Sequence, residues 1–70
     1  MSNLEILKNG TEKEKIFATS IETLAQGQGF YGRIITNLNK MTEEELTKTR
    51  EVINEQNLKE TIDVIFWLEQ

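Results

Sequence analysis

Apolar residues recur along the chain at helical intervals, and the longest series runs Phe17, Ile21, Leu24, Gln28, Tyr31, Ile35, Leu38. Its steps alternate between four and three residues, the spacing of a heptad seam in which Gln28 alone is polar. A second row, Ala18, Glu22, Ala25, Gly29, Gly32, Thr36, advances the same way and is mostly small. Small residues at that spacing let another helix backbone come close, since no Cβ intervenes. The pattern predicts one long central helix over residues 12–39, bent near Gly27. Two helices with a turn at 26–29 are the alternative. Three interior glycines cost a helix about 3 kcal/mol against alanine, so the long helix needs a packing or ligand reason for them, or a kink.

Four hydroxyl or amide residues stand three positions before a glutamate and mark helix starts: Ser2–Glu5, Thr11–Glu14, Thr42–Glu45 and Asn57–Glu60. They predict a short helix over 3–8, the long helix over 12–39, and helices over 43–56 and 58–69. Asn9-Gly10 suits a left-handed cap after the first. Glu43, Glu44 and Glu45 fall in a first turn, where the helix dipole favours acids. The last segment carries Leu58, Thr61, Ile62, Ile65 and Leu68 on one stripe, with Val64, Phe66 and Trp67 off it. A strand over 62–68 would have nothing to pair with, so the segment reads as a helix with more than one apolar face. A surface helix has one such face, and the surplus points to a second protomer. The expected fold is all-α: a small antiparallel bundle of three to four helices, one domain over 1–70, assembled as a homo-oligomer through Gly29, Gly32, Phe66 and Trp67.

Composition narrows the chemistry. A chain of 70 residues buries only about 60% of its unfolded surface and often needs a staple or a partner. There is no cysteine and no histidine, which removes disulfides, thiolate or imidazole metal sites and the usual general base. Oligomerisation is the staple left, and neither metal nor cofactor is expected. Apolar content of 37% and charged content of 29% suit a folded domain. No apolar run approaches a membrane span and no basic-then-apolar leader is present, so a cytoplasmic protein off the membrane is expected. Net charge is −4, with +1 over residues 1–40 and −5 over residues 41–70. General nucleic-acid binding is disfavoured, because phosphate contacts need clustered Lys and Arg. The acidic half reads as a solvated helix face or as a surface for a basic partner.

Gly27-Gln28-Gly29-Phe30-Tyr31-Gly32-Arg33 holds three of the four glycines and spells G-x-G-x-x-G. A dinucleotide site needs that motif between a strand and a helix, and 70 residues cannot supply the sheet. Packing glycines are the better reading. On a continuous helix Gln26, Phe30, Arg33 and Asn37 share one face. An aromatic, a guanidinium and two amides there suit a nucleotide-type ligand, by stacking and bidentate hydrogen bonds, or a host protein. The competing possibility is structural: Phe30 inside and Arg33 paired with an acid. Tyr31 belongs to the seam, its hydroxyl reaching the edge. Trp67 is a core residue or an interface anchor. Asp63, the one acid in the apolar run 62–68, suits a salt bridge to Arg33, Lys59 or Arg50. Paired carboxylates fall at cap and solvent positions without apolar surroundings to raise a pKa. The chain is therefore expected to be non-enzymatic.

From Gln28 to Glu69 the sequence resembles a loosely defined set of small bacteriophage- and prophage-encoded proteins. The resemblance rests on Gly29-Phe30-Tyr31-Gly32-Arg33-Ile34-Ile35 and on the ending from Glu55 through Trp67 to Glu69. It brings no catalytic residues to carry over. It implies action on host machinery or host defence, with stoichiometric inhibition or modulation as the expected function. Sequestration of a nucleotide-type signal between protomers, with Phe30, Tyr31 and Arg33 around the phosphate or base, is the alternative, and a structural phage component the third.

Overall fold

Five helices follow one another among the described residues: α1 (Asn3–Lys8), α2 (Glu12–Ala25), α3 (Gly29–Asn39), α4 (Glu43–Glu55) and α5 (Leu58–Leu68). The structure, a computed structural model, describes residues 1–27 and 29–68, the side chains of Val64, Phe66, Trp67 and Leu68 excepted. The all-α class holds. The long helix over 12–39 does not form, which corrects both its extent and the three-to-four count. An unbroken helix of 28 residues would be about 42 Å long. The molecule extends no more than 27 Å along any principal axis.

Burial explains why the chain turns. Each helix contributes to one apolar cluster: Leu7 from α1, Phe17, Ala18 and Ile21 from α2, Ile34 and Leu38 from α3, Leu46 and Ile53 from α4, and Ile65 from α5. A straight helix would carry Ile34 and Leu38 away from Phe17 and Ile21. Burying two such side chains contributes about 3–6 kcal/mol. The turn also takes Gly27 out of a helix interior and puts Gly29 at a helix start, where glycine costs less. It tightens through i to i−3 bonds, Gln26 N–H to the Thr23 carbonyl at 3.3 Å and Gly27 N–H to the Leu24 carbonyl at 3.2 Å. Burial on α3 centres on Ile34 and Leu38. Ile34, outside the heptad seam, is fully buried beside Leu38 of the seam, while Tyr31 and Ile35 from the seam are only half-buried.

The starts of α1, α2, α4 and α5 follow the capping signals closely. Thr11 with Glu14 and Thr42 with Glu45 form reciprocal capping boxes. Ser2 accepts from the Glu5 N–H at 3.2 Å, and Asn57 from the Glu60 N–H at 2.9 Å. The helix end at Asn9 departs from expectation. Its φ is −101° and ψ 7°, and no described residue has a positive φ, so no left-handed cap forms. Side-chain hydrogen bonds from both helices tie α1 to the end of α3. Asn3 Nδ2 donates to the Leu38 and Met41 carbonyls at 2.7 and 3.1 Å, and Asn39 Oδ1 accepts from Leu4 N–H at 3.1 Å. Orphan carbonyls of a helix C-terminus are thereby satisfied from a neighbouring helix. Lys8 and Glu22 pair at 2.6 Å and join α1 to α2.

Candidate functional site

Two polar and apolar features meet where the start of α2 lies against the end of α4. The first is a carboxylate. Glu14 is only 2% exposed and accepts four hydrogen bonds. Its Oε1 takes the Thr11 N–H at 3.2 Å and Arg50 Nη2 at 3.0 Å, while Oε2 takes Arg50 Nε at 3.2 Å and Asn54 Nδ2 at 2.7 Å. Burial by itself would raise the Glu14 pKa. The donors from Arg50, Asn54 and the Thr11 backbone, with the Arg50 charge, outweigh it and hold the carboxyl below its ordinary 4.5. An ionised carboxylate whose lone pairs are occupied is a poor proton acceptor, so this group is a clamp between helices. Asn54 widens the clamp: its Oδ1 accepts from Thr11 Oγ1 at 2.7 Å, and its carbonyl from Lys13 Nζ at 3.0 Å.

Gly10 makes the clamp possible. A Cβ on Gly10 would lie 1.8 Å from Glu14 Oε1 and 3.0 Å from its Cδ. Glu14 cannot swing clear without giving up Arg50, Asn54 and its own capping box. The requirement for glycine here is space, since the backbone φ is not positive.

The second feature is a groove of about 270 Å³ beside the clamp, bounded by α2 on one side and by the α4–α5 corner on the other. Phe17 and Ile53 form its floor, Ile16 and Leu58 its banks, and Lys13 stands at its rim. Ile16 is 58% exposed and Leu58 40%, unusual openness for large aliphatic side chains in a molecule this small. Sequence reasoning missed this place. The one signal was Ile16 itself, an isoleucine outside the seam on a stripe with Lys13 and Ser20.

The site expected from sequence is only partly assembled. Gln26 is the C-cap of α2 and exposed, on the far side of the turn from α3, so it no longer shares a helix face with the others. Phe30, Arg33 and Asn37 do share a flank of α3, spaced by three and four residues. Phe30 is 42% exposed and meets the half-buried Tyr31 edge to face, ring centroids 5.3 Å apart at 86°. The Nδ2 of Asn37 is buried without a hydrogen-bond partner among the described residues. Gly27, Gly29 and Gly32 have no described atom within 4 Å of where a Cβ would stand. The close helix crossing expected over these glycines is therefore not made within the described chain, because α3 turns its Ile34 and Leu38 side to α2. Phe66 and Trp67, expected at an oligomer interface, lie outside the described side chains, as does Gln28 of the seam. Asp63 is exposed, and Arg50 pairs with Glu14 instead.

No family model, curated protein or solved structure matches this chain. Among the described residues no helix is long and apolar enough to cross a membrane. The geometry of the α2–α4–α5 corner therefore carries the functional reading.

Proposed function

We propose that this protein works by binding, as a stoichiometric inhibitor or modulator of another protein seated in the groove between α2 and the α4–α5 corner. The observation that carries this reading is the exposure of Ile16 and Leu58 on its two banks. An apolar side chain docked between these two banks would remove from water apolar surface that the chain itself leaves open. The partner segment is one that places an apolar side chain between the banks and a carboxylate beside it. Lys13 is the charged residue among those lining the groove, and an ammonium has three N–H donors, one of which serves the Asn54 carbonyl. The resemblance to phage-encoded proteins directs the search to host and defence components.

The test is capture from bacterial lysate by the intact chain, with bound protein identified and its stoichiometry measured by native mass spectrometry. A defined complex lost in Ile16→Asp and Leu58→Asp, both with unchanged melting temperature, is expected. Capture indifferent to both substitutions would contradict the reading. A nucleotide-type ligand is the second reading, favoured by the Phe30–Tyr31 pair on the same helix as Arg33. It requires a calorimetric response to a nucleotide panel that Arg33→Ala removes.

A further inference from the structure

Asn9 is the chain's only asparagine followed by glycine. Such a pair carries its own reaction. The glycine nitrogen, unhindered by a neighbouring Cβ, can attack the asparagine Cγ. The N–H proton is lost to hydroxide, a C–N bond forms and the side-chain nitrogen leaves as ammonia, giving a five-membered succinimide. Water then opens either carbonyl of that ring to aspartate or isoaspartate. No oxidant, reductant or cofactor takes part. Asn9 is exposed, so water reaches the site.

The native cap opposes each requirement. The Gly10 N–H donates to the Leu7 carbonyl at 3.1 Å, which occupies the nitrogen that must attack. Asn9 Nδ2 donates to the Glu5 carbonyl at 3.0 Å, which turns the side chain back along α1. The Asn9 backbone N–H is held by the Glu5 and Ile6 carbonyls at 3.1 and 3.3 Å, with ψ at 7°. Bringing the Gly10 nitrogen over Cγ needs a substantial rotation about that ψ. All of these contacts belong to the last turn of a six-residue helix. Helices so short are marginal, and their ends open at low free energy.

The product would fall where the fold tolerates it least. Isoaspartate routes the main chain through the former side-chain Cβ, lengthening the α1–α2 connection by one methylene and adding a carboxylate. Gly10 has Glu14 Oε1 in the space a single added carbon would fill, and Arg50 Nη2 is 3.4 Å from that point. We propose that Asn9–Gly10 is a self-modification site, gated by the last turn of α1, whose isoaspartate product unseats the Glu14–Arg50 clamp.

The test ages the full chain in mildly alkaline buffer, with and without denaturing urea. Conversion at Asn9 is followed by peptide mapping and by enzymatic methylation of isoaspartate. Conversion in urea is expected, slowed at least about tenfold in the folded chain, a factor worth about 1.4 kcal/mol of opening free energy. Equal rates in both conditions would overturn the gate, and no conversion in urea would overturn the site. The isoaspartate fraction should melt well below the parent chain, whereas Asn9→Asp, which adds the charge without the methylene, should melt near it. An isoaspartate chain that melts like the parent would overturn the coupling to the clamp.

Discussion

Gly10 and Gly32 occupy opposite kinds of surroundings, although the sequence makes Gly32 the more conspicuous. Gly32 belongs to a cluster of three glycines beside aromatic residues, and no described atom comes within 4 Å of its missing Cβ. Gly10 stands alone in a connection, and its missing Cβ is filled by a carboxylate that holds two helices together. Clustering drew attention to residues with room to spare. The tightly built corner comes from residues far apart in sequence, Glu14 with Arg50 and Asn54, which no local pattern connects.

The strongest way to break the contrast is to remove the clamp. Glu14→Ala loses four hydrogen bonds, the Thr11 N–H of the capping box among them, and leaves Arg50 facing a buried corner. Arg50 is 39% exposed, so water relieves part of the loss that a fully buried pair would suffer. A cost of about 3 kcal/mol is expected, a fall in melting temperature of more than about 12 °C for a domain this size. Gly10→Ala comes next, at about 1–3 kcal/mol of overpacking, read from urea midpoints.

Acid should reveal the same clamp more gently. The Glu14 pKa is lowered in the folded state, so its contribution is present above the unfolded value near 4.5 and fades as pH falls through the lower folded value. Subtracting the stability of Glu14→Gln from that of the parent should give a difference that is flat above about pH 5 and shrinks below it. A flat difference down to strongly acidic pH would contradict the linkage.

The smallest effect should have the opposite sign. Gly32→Ala lies in a helix interior with open space, so it should stabilise by about 0.5–1 kcal/mol. Light scattering on the same variant sharpens the comparison. A destabilised variant, or one shifted to a smaller assembly, would show that Gly32 packs against another copy.

The division between what the sequence showed and what it hid follows the range of the forces involved. Helix starts were legible because a capping hydroxyl or amide and a glutamate three residues on act within one turn, as Thr11 and Thr42 show. The α2–α3 break was weighed only as an alternative, because the heptad seam continues in register across Gly27. What decides it is the burial of Ile34 and Leu38 against α2, a tertiary gain that periodicity does not measure. The groove was hidden for the same reason. Ile16 and Leu58 become its two banks only once α4 and α5 have been placed, and Ile16 stands outside the heptad seam.

Gly10 is required by Glu14 and by nothing else in its surroundings. A double-mutant cycle between Gly10→Ala and Glu14→Ala, read from urea unfolding of the four proteins, measures this directly. Gly10→Ala should cost about 1–3 kcal/mol in the parent chain and close to nothing once the carboxylate is gone, since the added methyl then occupies vacated space. Equal costs in the two backgrounds would contradict the claim and place the requirement for Gly10 in the backbone itself.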